Sequence, residues 1–223
     1  MNCTKVGWGP KLSAAVLSLL AGGVLVATGV APTIVHAQTP AAAAGAHLEI
    51  VDGSSSATYR VQEQLAGVNF PNTAEGTTPG VSVTLVINPD GTVNSAQSKL
   101  TIDLKGLKSD QEMRDGYIQK RTLETDKYPV AEFVPKTLTG VPNPLPESGQ
   151  TGFEMTGDLT IHGTTKEVTF QGIATFGRDR TVAGRAVTDL TFAEFGLTKP
   201  TLARLLSVDD KIHLEVAFRF KRS

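Results

Sequence analysis

The segment Phe153–Phe176 reads FEMTGDLTIHGTTKEVTFQGIATF and contains two runs of alternating apolar residues on either side of a short turn. Successive side chains of a strand point to opposite faces of a sheet, so each run predicts a strand with one buried face. The five residues His162–Lys166 include a glycine and predict the hairpin loop. Gly157 and Gly172 interrupt the strands, which indicates a bulge, a bend or a close approach of a neighbouring group. A long, bent hairpin is typical of a sheet that curls into a barrel.

The same alternation predicts further strands along the chain, at nearly regular spacing. Between them, Gly67–Gly80 has the composition of a loop, either a mobile flap at a barrel mouth or an ordinary surface loop. Phe195–Leu206 contains Gly196 and Pro200 and predicts a loop with one helical turn. The further predicted strands are His47–Val51, Ala57–Leu65, Val81–Ile87, Lys99–Leu104, Ala131–Leu138, Val182–Phe192 and Lys211–Lys221.

One segment departs from this alternation. Ser109 and Glu112 have the spacing of a capping box, and Met113 and Tyr117 recur at helical spacing, so we expect one short helix within Ser109–Leu123. With eight or nine strands, the sequence predicts an all-β fold, an antiparallel eight-stranded barrel with one short helix. A closed sheet has no exposed edges. Eight strands leave an interior that is either filled by side chains or holds one small ligand.

The N-terminal segment has the features of a targeting sequence. Met1–Lys11 carries two lysines and no acidic residue, and Leu12–Val35 carries no charged residue. Val35, His36 and Ala37 then place small or short apolar residues where a signal peptidase cleaves. Residues 1–37 are predicted to be either a signal peptide cleaved after Ala37 or a membrane anchor formed by residues 12–35. Either alternative takes the protein out of the cytoplasm, to a periplasmic or extracellular location.

The rest of the chain divides into a linker and one domain. Residues 38–56 begin with the low-complexity stretch QTPAAAAG and are predicted to be a linker followed by a short N-terminal strand. Residues 57–223 are predicted to form the barrel domain, which is long enough to bury a core.

The composition argues against several classes of function. The net charge is −1, so nothing indicates a nucleic-acid partner. The four histidines lack the spacing of metal ligands, and neither a metal site nor a cofactor is predicted. The single cysteine, Cys3, excludes an internal disulfide.

Several stretches together resemble one known family. They are KSDQEMRDGYIQKRTLETDKYPVAEF at Lys108–Phe133, MTGDLTIHGTTKEVTF at Met155–Phe170, and the tail formed by Thr191–Leu197 and Asp209–Phe218. Their arrangement is similar to the YceI-like family of exported, lipocalin-like proteins. The resemblance is weaker over Ala57–Thr92.

The resemblance implies a lipocalin-like barrel with a hydrophobic interior in which family members bind a polyisoprenoid or a related long-chain amphiphile. The expected function is therefore that of an exported binding or carrier protein. The expected partner is a long-chain isoprenoid or lipid, with a quinone-like or fatty amphiphile as variants. Homodimers are a further implication, and the N-terminal segment would bring the protein close to a membrane. No family ligand contact is assigned to a single residue of this chain.

Candidate ligand-binding residues are selected by strand alternation rather than by the resemblance. Burial of one CH₂ group contributes about 0.8 kcal/mol, whereas association costs on the order of 4–15 kcal/mol. A chain of about ten or more buried carbons is needed to exceed that cost, so we expect a long apolar ligand. Taken singly, each candidate is more typical of a packed core. The candidates are Val61, Val83, Leu85, Ile102, Leu104, Phe133, Leu159, Ile161, Phe170, Phe192, Leu214, Val216 and Phe218, with Tyr117 as a lid.

Two groups of polar residues each allow more than one interpretation. Asp158, His162 and Glu167 bracket the hairpin turn, but no catalytic sequence motif accompanies them, so no catalytic residue is predicted. We expect His162 to hydrogen-bond nearby backbone. Charged residues around the helix are either a head-group site at the barrel mouth or a solvated face with ordinary surface ion pairs. They are Arg114, Asp115, Arg121, Asp126 and Lys127.

Three rival functions remain open from the sequence. One is a structural or interaction barrel with a filled core and no ligand. Another is an enzyme that acts on a lipid, with turnover dependent on His162 or Asp158. The third, a special case of the carrier, is a periplasmic stress or redox accessory that holds a quinone-like ligand.

Overall fold

The computed structural model describes residues 45–50 and 54–223, and these form strands with one short helical segment and a single 3₁₀ turn. The predicted signal or anchor segment 1–37 and most of the linker 38–56 lie outside the described residues. The strands are β1 (Ala46–Ile50), β2 (Ser56–Leu65), β3 (Asn72–Thr78), β4 (Val81–Ile87), β5 (Lys99–Asp103), β6 (Lys108–Ser109), β7 (Val130–Thr139), β8 (Gly149–Ile161), β9 (Thr164–Phe176), β10 (Thr181–Thr191) and β11 (Leu205–Arg222).

The sheet closes on itself through β11. This strand pairs with β10 along one edge and with β1 and β2 along the other. From β1 the antiparallel ring continues through β4, β5, β7, β8, β9 and β10 back to β11. The predicted eight-stranded antiparallel barrel is therefore confirmed. The β2–β3 hairpin extends the sheet from β11, and β6 pairs with β3.

The β8–β9 hairpin has a tighter turn than the sequence analysis predicted. Pairing continues as far as Ile161 and Thr164, so the loop contains two residues instead of five. Both of them, His162 and Gly163, have positive φ values, 52° and 75°. Positive φ at both central positions is the requirement of a type I′ turn, whose twist matches that of the flanking strands.

The two glycines inside the hairpin lie where neighbours approach closely, as predicted. A Cβ atom on Gly157 would collide with the carbonyl oxygen of Val134 and lie 2.8 Å from the ring of Phe133. A Cβ atom on Gly172 would lie 2.5 Å from the ring of Phe153. Phenylalanine rings of the interior thus lie across positions that have no side chain.

The assignment of Gly67–Gly80 as a loop was wrong in part. Gly67–Gly80 contains β3, whose small inward residues (Ala74, Gly76 and Thr78) resemble a loop in composition yet pair with β2. Small residues fit there because the ring of Tyr59 lies over Gly76.

The predicted helix Ser109–Leu123 is shorter and less regular than expected. It consists of α1 (Glu112–Tyr117) followed by a π-helical turn at Ile118–Thr122. Ser109 forms part of β6, and its hydroxyl donates to Asp115 rather than forming a capping box with Glu112. A short helix without a cap depends on its contacts with the barrel. None of the helices in the described part of the chain has the length and apolarity needed to cross a bilayer.

The segment between β10 and β11 also differs slightly from the prediction. Its helical turn is a 3₁₀ helix at Ala193–Phe195, at the start of the segment. The last strand begins at Leu205 rather than Lys211, and its pairing with β2 shifts register twice before Ile212. The alternation predicted for Lys211–Lys221 is present, with Ile212, Val216 and Phe220 buried.

We expect Gly184→Ala to destabilise the barrel. A Cβ atom at this position of β10 would collide with the carbonyl oxygen of Ile173 and lie 2.9 Å from the ring of Phe218. Overpacking of this kind costs about 1–3 kcal/mol. Gly116→Ala is the matched control, because nothing lies within 4 Å of its added Cβ and alanine favours a helix. Urea denaturation should show a loss of stability only for Gly184→Ala. Equal unfolding midpoints for the two variants would contradict this packing.

Candidate ligand-binding interior

Two apolar cavities lie inside the barrel. One, the helix cavity, has a volume of about 150 Å³ and is bordered by Ile118, Thr122 and Leu123 of the helical segment. The other, the sheet cavity, has a volume of about 100 Å³ and lies among the strands and the segment Val141–Leu145. Three residues belong to the walls of both cavities, so their apolar lining is continuous. These shared residues are Leu100, Phe170 and Val216.

The predicted interior residues divide between these cavities. Tyr117 alone lines neither cavity; its hydroxyl lies 3.1 Å from that of Thr201. Contact of any of these residues with a ligand stays a prediction. The sheet cavity includes Val83, Leu85, Phe133, Phe170, Val216 and Phe218. The helix cavity includes Val61, Ile102, Leu104, Leu159, Ile161, Phe170, Phe192, Leu214 and Val216.

A buried ion pair lies in the wall of the helix cavity. The guanidinium of Arg114 donates to Glu63 at 2.7 Å, and the two residues are only 8 % and 7 % exposed. It also pairs with Asp110. Burial opposes the charge of Arg114, but the hydrogen bond to Asp110 and the charge of Glu63 outweigh burial and raise the pKa of Arg114. Arg114 joins the helix to β2 by this contact.

Asp115 is buried beside this pair and is held by β6. Its carboxylate accepts hydrogen bonds from the backbone N–H of Ser109 at 2.8 Å and from the Ser109 hydroxyl at 2.6 Å. Of the two alternatives for these charges, the solvated face is therefore wrong for Arg114 and Asp115. Arg121, Asp126 and Lys127 are exposed.

Two hydroxyl groups in the same wall lack partners. The Oη atom of Tyr59 and the Oγ1 atom of Thr122 are buried and have no hydrogen-bond partner among the described residues. Thr122 as a whole is 4 % exposed. Burial raises the pKa of the Tyr59 hydroxyl, so it is un-ionised at neutral pH. A buried polar group without a partner costs about 1–3 kcal/mol, so each of these hydroxyls lowers the stability of the fold.

The residues considered for catalysis are not assembled into a catalytic group. His162 Nε2 lies 2.9 Å from the carboxylate of Glu124, rather than against backbone as predicted. Asp158 and Glu167 both accept from the ammonium of Lys136, at 2.6 and 3.0 Å. These are exposed contacts outside the barrel interior. Among the described residues, no group of three or more His, Cys, Asp and Glu side chains is arranged to hold a metal.

Sequence reasoning named Arg114 as a candidate for a head-group site but missed Tyr59, Glu63 and Thr122 of the helix cavity. A signal was present in β2, where Tyr59 and Glu63 occupy the same alternating face as Val61. A carboxylate on an apolar face requires a buried partner. The partner, Arg114, is 51 positions away and belongs to a helix whose charges read as a solvated surface.

A comparison with protein families identifies the family to which this barrel belongs. The family model of the YceI-like domain matches residues 49–220. The chain belongs to the YceI-like family. The matched range covers nearly all of the barrel, from the end of β1 to near the end of β11.

Relatives of this YceI-like protein are known by sequence and by structure. UPF0312 proteins of Pseudomonas putida strains W619 and GB-1 are 37% identical over 113 residues, which is 46% of this chain and 54% of each relative. The chain thus spans about half the length of these curated relatives. A polyisoprenoid binding domain from Saccharophagus degradans implicated in plant cell wall breakdown has a TM-score of 0.61 at 13% identity, covering 79% of this chain and 98% of that one. BcnA of Burkholderia cenocepacia has a TM-score of 0.57 at 19% identity, covering 76% and 98%. At these identities the two structures establish a shared fold.

We expect Glu63→Gln to destabilise the YceI-like barrel by about 3 kcal/mol, because it removes the charge that compensates the buried guanidinium of Arg114. Glu75→Gln is the control, since Glu75 pairs with Arg60 at the surface, where an ion pair contributes less than about 1 kcal/mol. Chemical denaturation measures both changes. Similar losses of stability in the two variants would show that the buried Arg114–Glu63 pair contributes no more than a surface ion pair.

Proposed function

We propose that this protein is an exported carrier that binds a polyisoprenoid or another long-chain amphiphile inside its barrel. The observation that carries the proposal is the continuous apolar lining of the two cavities. The family and the polyisoprenoid binding domain of the same fold support it. Binding rather than catalysis is proposed, because Asp158 and Glu167 pair with Lys136 at the surface and His162 lies against Glu124 instead.

The volume of the cavities favours a ligand over a filled structural core. Residual cavity volume costs about 24 cal/mol per Å³. The helix cavity at about 150 Å³ then corresponds to about 4 kcal/mol, and the sheet cavity at about 100 Å³ to about 2 kcal/mol. Protein interiors normally leave few voids of this size. A long apolar chain that filled both would recover this loss and add about 0.8 kcal/mol per buried CH₂.

Two exposed apolar side chains support exchange of the ligand with a membrane. Phe70 in the β2–β3 loop is 76 % exposed and Leu206 in β11 is 68 % exposed. The loop is joined to the residue before β11 by a hydrogen bond from the N–H of Ala66 to the carbonyl of Arg204 at 2.8 Å. Leu205, next to Leu206, lines the helix cavity itself. An amphiphile would enter the barrel here from a periplasmic or extracellular membrane surface.

We expect Val216→Trp to abolish most lipid uptake, because Val216 belongs to the walls of both cavities and an indole there would fill the space between them. The full chain, made in an exporting host without detergent, is examined by native mass spectrometry with analysis of the lipid extract. The wild-type protein should carry an added mass that is released by denaturation. The fraction of protein that carries this mass should be at least tenfold lower in the variant. Leu159→Trp should act similarly in the helix cavity.

Ile173→Trp is the control for this experiment, because Ile173 is exposed on the outer face of β9. It should retain the ligand. Circular dichroism of each variant separates blocked binding from unfolding. Unchanged uptake by a folded Val216→Trp protein would contradict the proposed site. A wild-type protein that neither carries a lipid nor binds an added polyprenyl compound would favour the structural barrel.

We further expect the exported protein to begin at Gln38, because the residues before it, Val35, His36 and Ala37, suit a signal peptidase. N-terminal sequencing of material from the host envelope tests this. Recovery of uncleaved chain in the membrane fraction would instead support the anchor formed by residues 12–35.

A further inference from the structure

A group of exposed cations lies on the outer face of the sheet, near the end of β11. Arg219 and Lys221 alternate with buried phenylalanines of the same strand and therefore point outward. They lie opposite Ala183 and Thr181 of β10, and Arg185 follows on the same face of β10. The turn between β9 and β10 adds two more arginines. We call these residues the basic face, and they are Arg178, Arg180, Arg185, Arg219 and Lys221.

Most of this positive charge is not compensated by ion pairs. Among the described residues, four of the five cations have no carboxylate within 4 Å. The exception is Arg185, which lies 3.9 Å from Glu215, but Glu215 is closer to Arg60 at 3.1 Å. Lys221 donates to the backbone carbonyl of Asp179 at 2.9 Å, and this acceptor carries no charge. The side chain is thereby held in place without being neutralised.

The carboxylates nearby are fewer than the cations. Asp179 accepts hydrogen bonds from the N–H and the hydroxyl of Thr181, which lower its pKa, so this acid is ionised but engaged within its own turn. Glu49 of β1 lies opposite Lys221 in the register of the sheet, yet the two do not form an ion pair. With Glu215 included, five cations share this part of the outer face with three side-chain carboxylates. The basic face therefore keeps a net positive charge.

The arginine at position 180 is not required by the turn that contains it. Its φ is 65°, in a region that favours glycine or asparagine. Its N–H donates to Gly177 at 3.0 Å, and its carbonyl accepts from the N–H of Arg222 at 2.9 Å. A glycine could form both of these backbone bonds. The turn thus carries a cationic side chain at a position where the backbone disfavours one.

The chain that precedes β1 reaches the barrel at this same end. The carbonyl of His47 accepts a hydrogen bond from the N–H of Ser223, just beyond β11, at 3.1 Å. Residues 12–35 are the apolar segment that the sequence predicts to be a signal peptide or an anchor. Residues 36–45, which follow it, span at most about 35 Å when fully extended. With the apolar segment in a bilayer, this end of the barrel would stay close to the lipid surface.

We propose that the basic face docks the protein on a membrane surface that contains anionic lipids. The negative surface potential of such a membrane attracts Lys and Arg, and lipid phosphates accept hydrogen bonds from guanidinium groups. A second copy of the chain is a poor occupant, because its own basic face would repel the first. The proposed ligand entry at Phe70 and Leu206 is near the start of β11, so a docked protein keeps that entry free. This inference goes beyond the carrier function and does not depend on the ligand.

The test measures sedimentation of the protein, isolated from an exporting host, with sucrose-loaded vesicles. Vesicles of phosphatidylcholine alone are compared with vesicles of equal parts phosphatidylcholine and phosphatidylglycerol. The wild type should bind the phosphatidylglycerol vesicles at least tenfold more tightly at about 0.1 M salt, and most of this preference should disappear at about 0.5 M salt because of screening. All variants carry the same N-terminal residues, so differences between them come from the substituted cations.

Two double variants connect the preference to the basic face. Arg178→Gln with Arg180→Gly, and Arg219→Gln with Lys221→Gln, should each weaken binding to phosphatidylglycerol vesicles about ten- to thirtyfold, because one cation near an anionic leaflet changes binding about fivefold. Binding to phosphatidylcholine should not change. The first variant should also unfold at the temperature of the wild type or above it, because glycine suits the positive φ at position 180. Loss of binding would then not result from unfolding.

Lys105→Gln with Lys166→Gln is the matched control, because it removes the same charge from exposed positions at the other end of the barrel. It should bind as the wild type does, within about twofold. An equal loss in this control, equal binding of the wild type to both kinds of vesicle, or unchanged binding of both basic-face variants would overturn the proposal. Capture of soluble polyglutamate through the basic face without vesicle binding would assign an acidic polymer instead of a membrane. Ligand uptake is measured separately, so failure of docking and failure of the carrier function are distinguishable.

Discussion

The pairing of β11 along both of its edges is the constraint on which the structure depends. This strand hydrogen-bonds to β10 over its full partner range, from Lys211 to Lys221, while its opposite edge meets first β2 and then β1. Without those pairings the sheet would have two open edges and no enclosed interior. The alternation of β11 then directs Val216 and Phe218 inward, so the strand that closes the barrel also lines its cavities.

The interior combines two kinds of incompleteness that a packed core would avoid. Its two apolar cavities enclose about 150 and 100 Å³, and the buried hydroxyls of Tyr59 and Thr122 have no partner among the described residues. Each feature is unfavourable alone. A long apolar chain of the kind proposed above would relieve the first of them by filling both cavities.

The fold could be predicted from the sequence because β8, β9 and β11 each have one apolar and one polar face. β3 escaped prediction because its inward positions Ala74 and Gly76 are small, and their size is understood only beside the ring of Tyr59. The apolar residues that line the cavities could also be predicted, because the alternation that defines a strand also shows which of its residues point inward. The burial of Arg114 could not be predicted in this way, since it depends on Glu63, a partner distant in sequence.

The closing pairs of the barrel join segments that are far apart in the chain. The hydroxyl of Ser223 reaches the carbonyl of His47 across 176 positions, and Leu48 pairs with Arg222. Contacts of such separation slow folding, because the entropy of closing a long loop is lost before the contact forms. The ring therefore closes only once β11 has paired along both of its edges. Until then the inward apolar faces of β8 and β9 stay exposed to water.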